Sequence, residues 1–169
     1  MKKLIILLLL SNIAFSQSNF RFNEHEFFTV TACIDPSSSI KEKGLGFVGE
    51  IEYAGKIYTK VGFETFRVLT GGYTDIHGAI GLNFTSGYFE RIRYYAGVRT
   101  AKVWRADTFR IIYGLESGVD YNINDSLFVG LRATYDKRLD QEIFGWKPET
   151  KFSGFIRVGY KWYYKNKRP

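Results

Sequence analysis

The 169-residue chain carries one cysteine, three prolines and two histidines. Cys33 alone cannot close an intramolecular disulfide, so an exported chain of this size must be stabilised in another way. Its simplest role is that of a small apolar residue in a strand. Three prolines leave backbone ladders unbroken over long stretches. His25 and His77 stand in no metal-type spacing, and one thiol cannot build a structural zinc site. No apolar run is long enough to span a bilayer as a helix, which takes roughly 20 residues. Charged residues make up 24%, which excludes a disordered charged tail. The formal net charge is +7, or +5 without Lys2 and Lys3, too mild and too dispersed to argue for nucleic acid as a partner.

Aromatic residues and glycine are abundant instead: 12 Tyr, 15 Phe and 17 Gly. Wide rings, close backbone approach and few prolines suit strands and suit helices poorly. The first residues read separately. Lys2 and Lys3 precede a short apolar run at residues 4–10, and Ala14-Phe15-Ser16 places small residues before Gln17. This is the pattern of a secretory signal peptide over residues 1–16, leaving 17–169 as one domain. No cysteine follows the apolar run, which argues against lipoprotein processing.

From Gly46 onward, a period of two dominates. In residues 110–122, Ile111, Tyr113, Leu115, Val119 and Tyr121 share one face, and Arg110, Gly114, Glu116, Gly118 and Asp120 the other. A helix would scatter these apolar residues around its circumference. The pattern recurs over 91–103, 127–135 and 152–164, and less cleanly over 47–53, 57–69 and 76–84. Phe66 and Val68 switch parity, which predicts a bulge or emergence from a membrane. A weaker strand over about 22–33 makes eight. Short turns with Gly, Asn or Asp (54–56, 85–90, 122–126) alternate with a set that holds two longer loops, 34–45 and 137–150, and shorter links at 70–75 and 105–108. The simplest topology is all-β, antiparallel and up-and-down.

Eight strands can close into a barrel, and a transmembrane barrel inverts the soluble one, apolar outside and polar within. Three features favour inversion. The polar face holds Gly62, Gly81, Gly97, Gly114, Gly118, Gly130 and Gly159, wasteful on a solvated surface but roomy inside a narrow barrel. It also holds charges of both signs: Glu50, Glu52, Lys60, Glu64, Arg91, Arg93, Arg99, Arg110, Glu116, Asp120, Arg132, Arg157 and Lys161. Aromatics gather at strand ends on the apolar face, as an interfacial girdle requires: Phe84, Tyr94, Tyr113, Tyr121, Tyr135, Tyr160, Trp162 and Tyr164.

On these residues the chain resembles the small eight-stranded outer-membrane β-barrel proteins of Gram-negative bacteria, the OmpX-like and OmpA-barrel-like group. The last strand, Arg157-Val158-Gly159-Tyr160-Lys161-Trp162-Tyr163-Tyr164, resembles the C-terminal β-signal of that class. The resemblance implies Gly159, Trp162 and Tyr164 as an assembly signal read by the barrel-assembly machinery. The tail at 165–169 departs from the pattern, since many members end on the aromatic. The Ser16-Gln17 end of the leader resembles those of Bacteroidetes. Implied surroundings are outer-membrane lipid and a location in the cell outer membrane.

Chemistry is thin. His77 lies on the polar face beside Asp75, as a hydrogen-bonded lumen residue would. The lipid A deacylases, which share eight-stranded barrels, resemble a His-x-Ser-Asn pattern. Here the chain reads His77-Gly78-Ala79-Ile80 without the serine, so no catalytic, metal or cofactor residue is assigned. Within 137–150, Ile143-Phe144-Gly145-Trp146 is an apolar tip between charged flanks. Exposed aromatics on a polar loop mark a contact site, which makes Phe144 and Trp146 the partner-contact candidates. The alternative is that they fold onto the barrel rim or dip into headgroups. The expected function is a non-enzymatic outer-membrane barrel with a filled lumen, structural, adhesive or accessory to an envelope complex, with an extracellular or envelope protein as partner. A lipid A-modifying enzyme and a soluble secreted ligand-binding barrel are the alternatives.

Overall fold

The computed structural model describes residues 20–41, 43–66, 72–86, 91–106 and 108–163. The expected leader at 1–16, with its Ser16-Gln17 end, the turn at Gly87, Val68, Tyr164 and the tail at 165–169 lie outside the described residues. Among the described residues nine strands follow one another: β1 Phe20–Phe22, β2 Phe27–Ile34, β3 Phe47–Ala54, β4 Ile57–Thr65, β5 Thr74–Ser86, β6 Ile92–Arg105, β7 Thr108–Asn122, β8 Leu127–Arg138 and β9 Glu149–Tyr163. A short helix α1, Pro36–Lys41, follows β2, and a 3-10 helix, Leu139–Phe144, follows β8. Each of β2–β9 pairs antiparallel with its neighbours in the chain, and β2 with β9 closes the circle, with Phe27 opposite Tyr163 and Ile34 opposite Ile156. The result is a closed eight-stranded barrel, and closure of β2 on β9 removes the pairing hazard of an open sheet along their shared length.

Alternation decides what each wall presents. Even residues of β4, β7 and odd residues of β6, β9 point inward, which buries Lys60, Glu116, Asp120, Arg93, Arg99 and Arg157. Their neighbours point outward, so Ile51, Val61, Val98, Leu115, Leu131 and Val158 are exposed, Val61 to 64%. This wall is apolar outside and ionic inside, which is that of a transmembrane barrel and the reverse of a soluble one. Aromatic pairs stand on it near the end where β2 begins and β9 finishes, Phe28 with Tyr53 at 5.0 Å and Tyr160 with Trp162 at 4.7 Å between ring centres. Trp104, Phe109 and Tyr113 stand at the other end. The inward glycines make room: a Cβ on Gly118 would collide with the Tyr95 ring, and one on Gly159 with the Phe128 ring.

Several details differ from the sequence expectation. The weak strand over 22–33 is two strands. β1 pairs with the far end of β5, Phe22 opposite Phe84, beyond the point where the β4–β5 ladder stops at Ile57 opposite Leu82. The Asn23 N–H donates to the Asn83 carbonyl at 3.0 Å, and the chain then passes Gly55 of the β3–β4 turn into β2. Residues 23–26 are all polar, so no period of two betrays this break. Phe66 marks no bulge either. It stays on the inward parity of Tyr58, Lys60 and Gly62, and is buried because the lumen at this level holds an apolar layer of Phe66, Tyr73, Ala101, Val103 and Ile112. Arg91 and Arg110 are exposed rather than luminal, because each sits at a strand extremity where no opposite wall encloses it. Asp75 belongs to β5 and is buried, not part of a connector.

Candidate functional site

The lumen is the first place where chemistry could reside. Glu50 of β3 is its hub. Its carboxylate pairs with Arg132 of β8, lies 3.4 Å from Lys60 Nζ and 3.2 Å from His77 Nε2, and accepts from the Cys33 thiol at 3.7 Å. Glu52 pairs with Arg93 and lies 3.4 Å from Arg157 Nη2. Arg93 also donates to Asp120 at 3.0 Å, while Glu116 holds Lys60 at 2.9 Å and accepts from the Tyr58 hydroxyl at 2.7 Å. Short strands on one side thus meet cations from the far wall across the barrel axis. Each charge is out of water, so its partner, on the opposite wall as for Glu50 and Arg132 or on the adjacent strand as for Arg93 and Asp120, is what makes its burial tolerable. Guanidinium groups also lie over rings, Arg132 at 4.1 Å from the Phe155 centre and Arg93 at 4.8 Å from that of Tyr95.

His77 is held where its sequence position implied. Its Nδ1 lies 2.8 Å from Asp75 Oδ1, and Tyr73 donates to the other Asp75 oxygen at 2.7 Å. With Nε2 facing Glu50, both ring nitrogens are occupied by carboxylates. A general base needs one nitrogen open toward a nucleophile or substrate, so this histidine binds the wall together. Among the described residues no cluster of His, Cys, Asp or Glu is arranged to hold a metal ion.

The two ends differ. At the end where β2 begins and β9 finishes, a depression of about 390 Å3 is lined by Arg21, Glu24, His25, Arg91, Asn124 and Asp125 among others. The Asn124 side chain there accepts from the Ser126 and Leu127 N–H groups at 2.9 and 2.7 Å, which shapes the expected tight β7–β8 turn. At the opposite end the segment after β8 forms the 3-10 helix. Asp140 pins it: Arg138 donates two hydrogen bonds to its carboxylate at 2.7 and 2.8 Å, and Arg105 a third at 3.1 Å. Burial alone would push the Asp140 carboxyl up, but the Arg138 and Arg105 bonds outweigh it and hold it below its ordinary value. Gly145 closes the helix with φ of 71°, a left-handed conformation that glycine adopts readily.

Phe144 and Trp146 are brought together, ring centres 5.2 Å apart, but they do different things. Phe144 is half-buried under the Arg105 guanidinium, 4.7 Å from its ring centre, while Trp146 is 54% exposed. The tip therefore folds partly onto the rim and leaves one indole outward. Of the expected assembly signal, Gly159 faces inward beneath Phe128, and Trp162 stands outward against Tyr160; Tyr164 lies outside the described residues. The Arg105–Asp140–Arg138 anchor was not anticipated. Arg105 had a signal, since it continues the inward parity of Arg93 and Arg99, but Asp140 sat in a loop with no period to orient it.

No family model matches the sequence, and no curated protein matches it significantly. Solved structures do match in shape. The N-terminal β-barrel domain of OprF from Pseudomonas aeruginosa is similar at a TM-score of 0.54 with 10% identity, over 84% of this chain and 100% of that one. The Yersinia pestis outer membrane protein Ail is similar at 0.51 with 11% identity, over 82% of this chain and 100% of that one. At such identities the likeness is one of fold, and the fold is that of the small outer-membrane barrels.

Proposed function

We propose that this chain is an integral outer-membrane β-barrel without catalytic activity, a structural or accessory component that presents its loop-end surface to a protein partner in the envelope or outside the cell. The lumen is the observation that carries this reading. Buried ion pairs across the axis, with apolar layers around Tyr58 and Tyr95 on one side and Phe66 and Ile112 on the other, occupy the space a substrate or solute would need. The short-turn end with the termini faces the periplasm and the end with α1 and the 3-10 helix faces outward, as is usual for such barrels. Gly159, Trp162 and Tyr164 serve the barrel-assembly machinery during insertion. Trp146, rather than Phe144, supplies the contact surface, because Phe144 is already engaged by Arg105.

Extraction of membranes with alkaline carbonate or urea tests the placement: the protein should stay in the pellet, and its release would mean a soluble barrel. A thiol label on a cysteine introduced at exposed Glu142 should react in intact cells. Labelling only after the outer membrane is opened would invert the topology. Purified monomer in planar bilayers should give no stable large conductance.

A further inference from the structure

The outward face of β2–β9 is apolar or neutral at every described position except two, and both exceptions are lysines: Lys102 of β6 and Lys137 of β8. They flank the same strand. Lys102 stands opposite Ile111 and Lys137 opposite Tyr113, one outward step apart on β7. Two strand spacings separate them, roughly 10 Å. Both are exposed and both lie at the loop end, where a charge on the wall is least costly. Each stem rests on aromatic rings, Lys102 Nζ at 4.1 Å from the Phe109 centre and 5.1 Å from that of Trp104, Lys137 Nζ at 5.9 Å from that of Tyr113. Beside them, a crevice of about 550 Å3 opens between the top of β7 and the 3-10 helix, lined by Thr108, Phe109, Arg110, Ile111, Leu139 and Glu142. Arg110 is exposed there, its guanidinium bonded to the Phe109 carbonyl at 3.1 Å. No described outward residue of the barrel wall is acidic, and among the described residues Glu142 on the helix is the one carboxylate lining the crevice.

Like charges gathered on one sector of an apolar wall repel one another and favour an anion from outside the protein. The medium against this wall is lipid, and the anion a lipid offers at this depth is its phosphate, which lysine meets as a point charge. We propose that the loop end of β6–β8 binds a phosphate-bearing lipid. Lys102 and Lys137 hold the headgroup phosphate, Arg110 adds a third donor, and the apolar part of the lipid lies against Phe109, Ile111 and Leu139. This rests on the reading of the wall as lipid-facing, and adds a headgroup preference that the reading alone does not contain.

The test is native mass spectrometry of the full chain released from detergent micelles, with phosphatidic acid, phosphatidylcholine or inorganic phosphate titrated in. Phosphatidic acid should bind more tightly than phosphatidylcholine, and inorganic phosphate should not be retained. Lys102→Gln or Lys137→Gln should each weaken phosphatidic acid binding about fivefold, and the double variant about 25-fold. Lys102→Arg with Lys137→Arg should retain it, as should Lys56→Gln, which removes an exposed lysine at the other end. A double Gln variant within twofold of wild type, an equal loss in Lys56→Gln, or inorganic phosphate held as tightly as the lipid would each overturn the proposal. Release of the protein by carbonate would instead remove the lipid-facing reading beneath it.

Discussion

The barrel has a short side and a tall side. β2, β3 and β4 have 8, 8 and 9 residues, while β5 to β9 have 12 to 15. A tilted strand needs about 9–11 residues to cross the hydrocarbon core. The short side is therefore all membrane wall, and the tall side has residues to spare. At the loop end the excess is visible in β9, whose residues 149–155 continue past the pairing with β2 that stops at Ile34 opposite Ile156. The individual features of this chain collect on that excess: the Asp140 anchor, the Phe144–Trp146 pair, and the two outward lysines. The short side contributes Glu50, Glu52 and Lys60, and the tall side the luminal arginines together with Asp75, Glu116, Asp120 and Asp136. Glu50 and Glu52 bond the short side to Arg132, Arg93 and Arg157 of the tall side, and Glu116 bonds the tall side to Lys60.

Glu50→Ala should break that bond with the largest effect. It strips Arg132, Lys60 and His77 of a shared partner while leaving the cations buried. Losses of about 3–5 kcal/mol accompany such one-sided removal. Urea unfolding in micelles measures it, and unfolding at the wild-type urea concentration would mean that the halves are not coupled through the lumen. Next in size are charges on the outer wall. Val61→Arg on the short side and Leu131→Arg on the tall side should each cost about 2–4 kcal/mol if both lie near the bilayer midplane. Insertion yields into vesicles compare them. Tolerance of Leu131→Arg alone would show that the tall side stands clear of lipid at that height.

Smaller effects come from the glycines. Gly118→Ala and Gly159→Ala on the tall side place a methyl against the Tyr95 and Phe128 rings, and overpacking of this kind costs about 1–3 kcal/mol. Gly49→Ala on the short side meets only the Phe47 ring at 3.6 Å, an ordinary contact, and should be neutral or stabilising through a less flexible unfolded chain. Equal losses at all three positions in urea melts would mean that backbone freedom rather than ring space selects these glycines.

Much of this was legible in residue order because a strand side chain has only two directions. Once Leu115 is outward, Glu116 is inward, and Tyr95, Phe128 and Phe155 follow onto the luminal face with no further information. The same rule already held the lysine pair: Lys102 and Lys137 are charges on the apolar parity, a signal that reading the polar face alone passes over. What parity cannot express is depth and partner. Arg91 and Arg110 have luminal parity yet leave the barrel because the wall ends beside them. Phe66 is apolar on the inner face because of residues near and far, Tyr73, Val103 and Ile112. Glu50 meets Arg132 across 82 positions of sequence, a distance only closure removes. The 3-10 helix has no period of two at all, so its anchor waited for the geometry.

The smallest expected effect concerns that anchor, and it has a definite pH window. Asp140 in the folded protein titrates below its ordinary value, while in the unfolded chain it titrates near about 3.9. A depressed folded value means that the anchor's contribution is fully present above about pH 4 and is lost as pH falls through the folded value. Charge-assisted hydrogen bonds of this kind contribute about 1.5–3 kcal/mol, but here they restrain one segment rather than the whole barrel. Acid should therefore loosen the 3-10 helix, and with it the Phe144–Trp146 tip, before the short side responds. Collisional quenching of Trp146, in a background where the other two tryptophans are phenylalanine, should stay flat from pH 7 to about 4 and then rise. Asp140→Asn should begin at the raised level and show no such step, with an unchanged barrel melt in urea at neutral pH. A step that persists in Asp140→Asn would assign the transition to a different carboxylate, and the tall side would then owe its loop to something other than the Arg138 and Arg105 bonds.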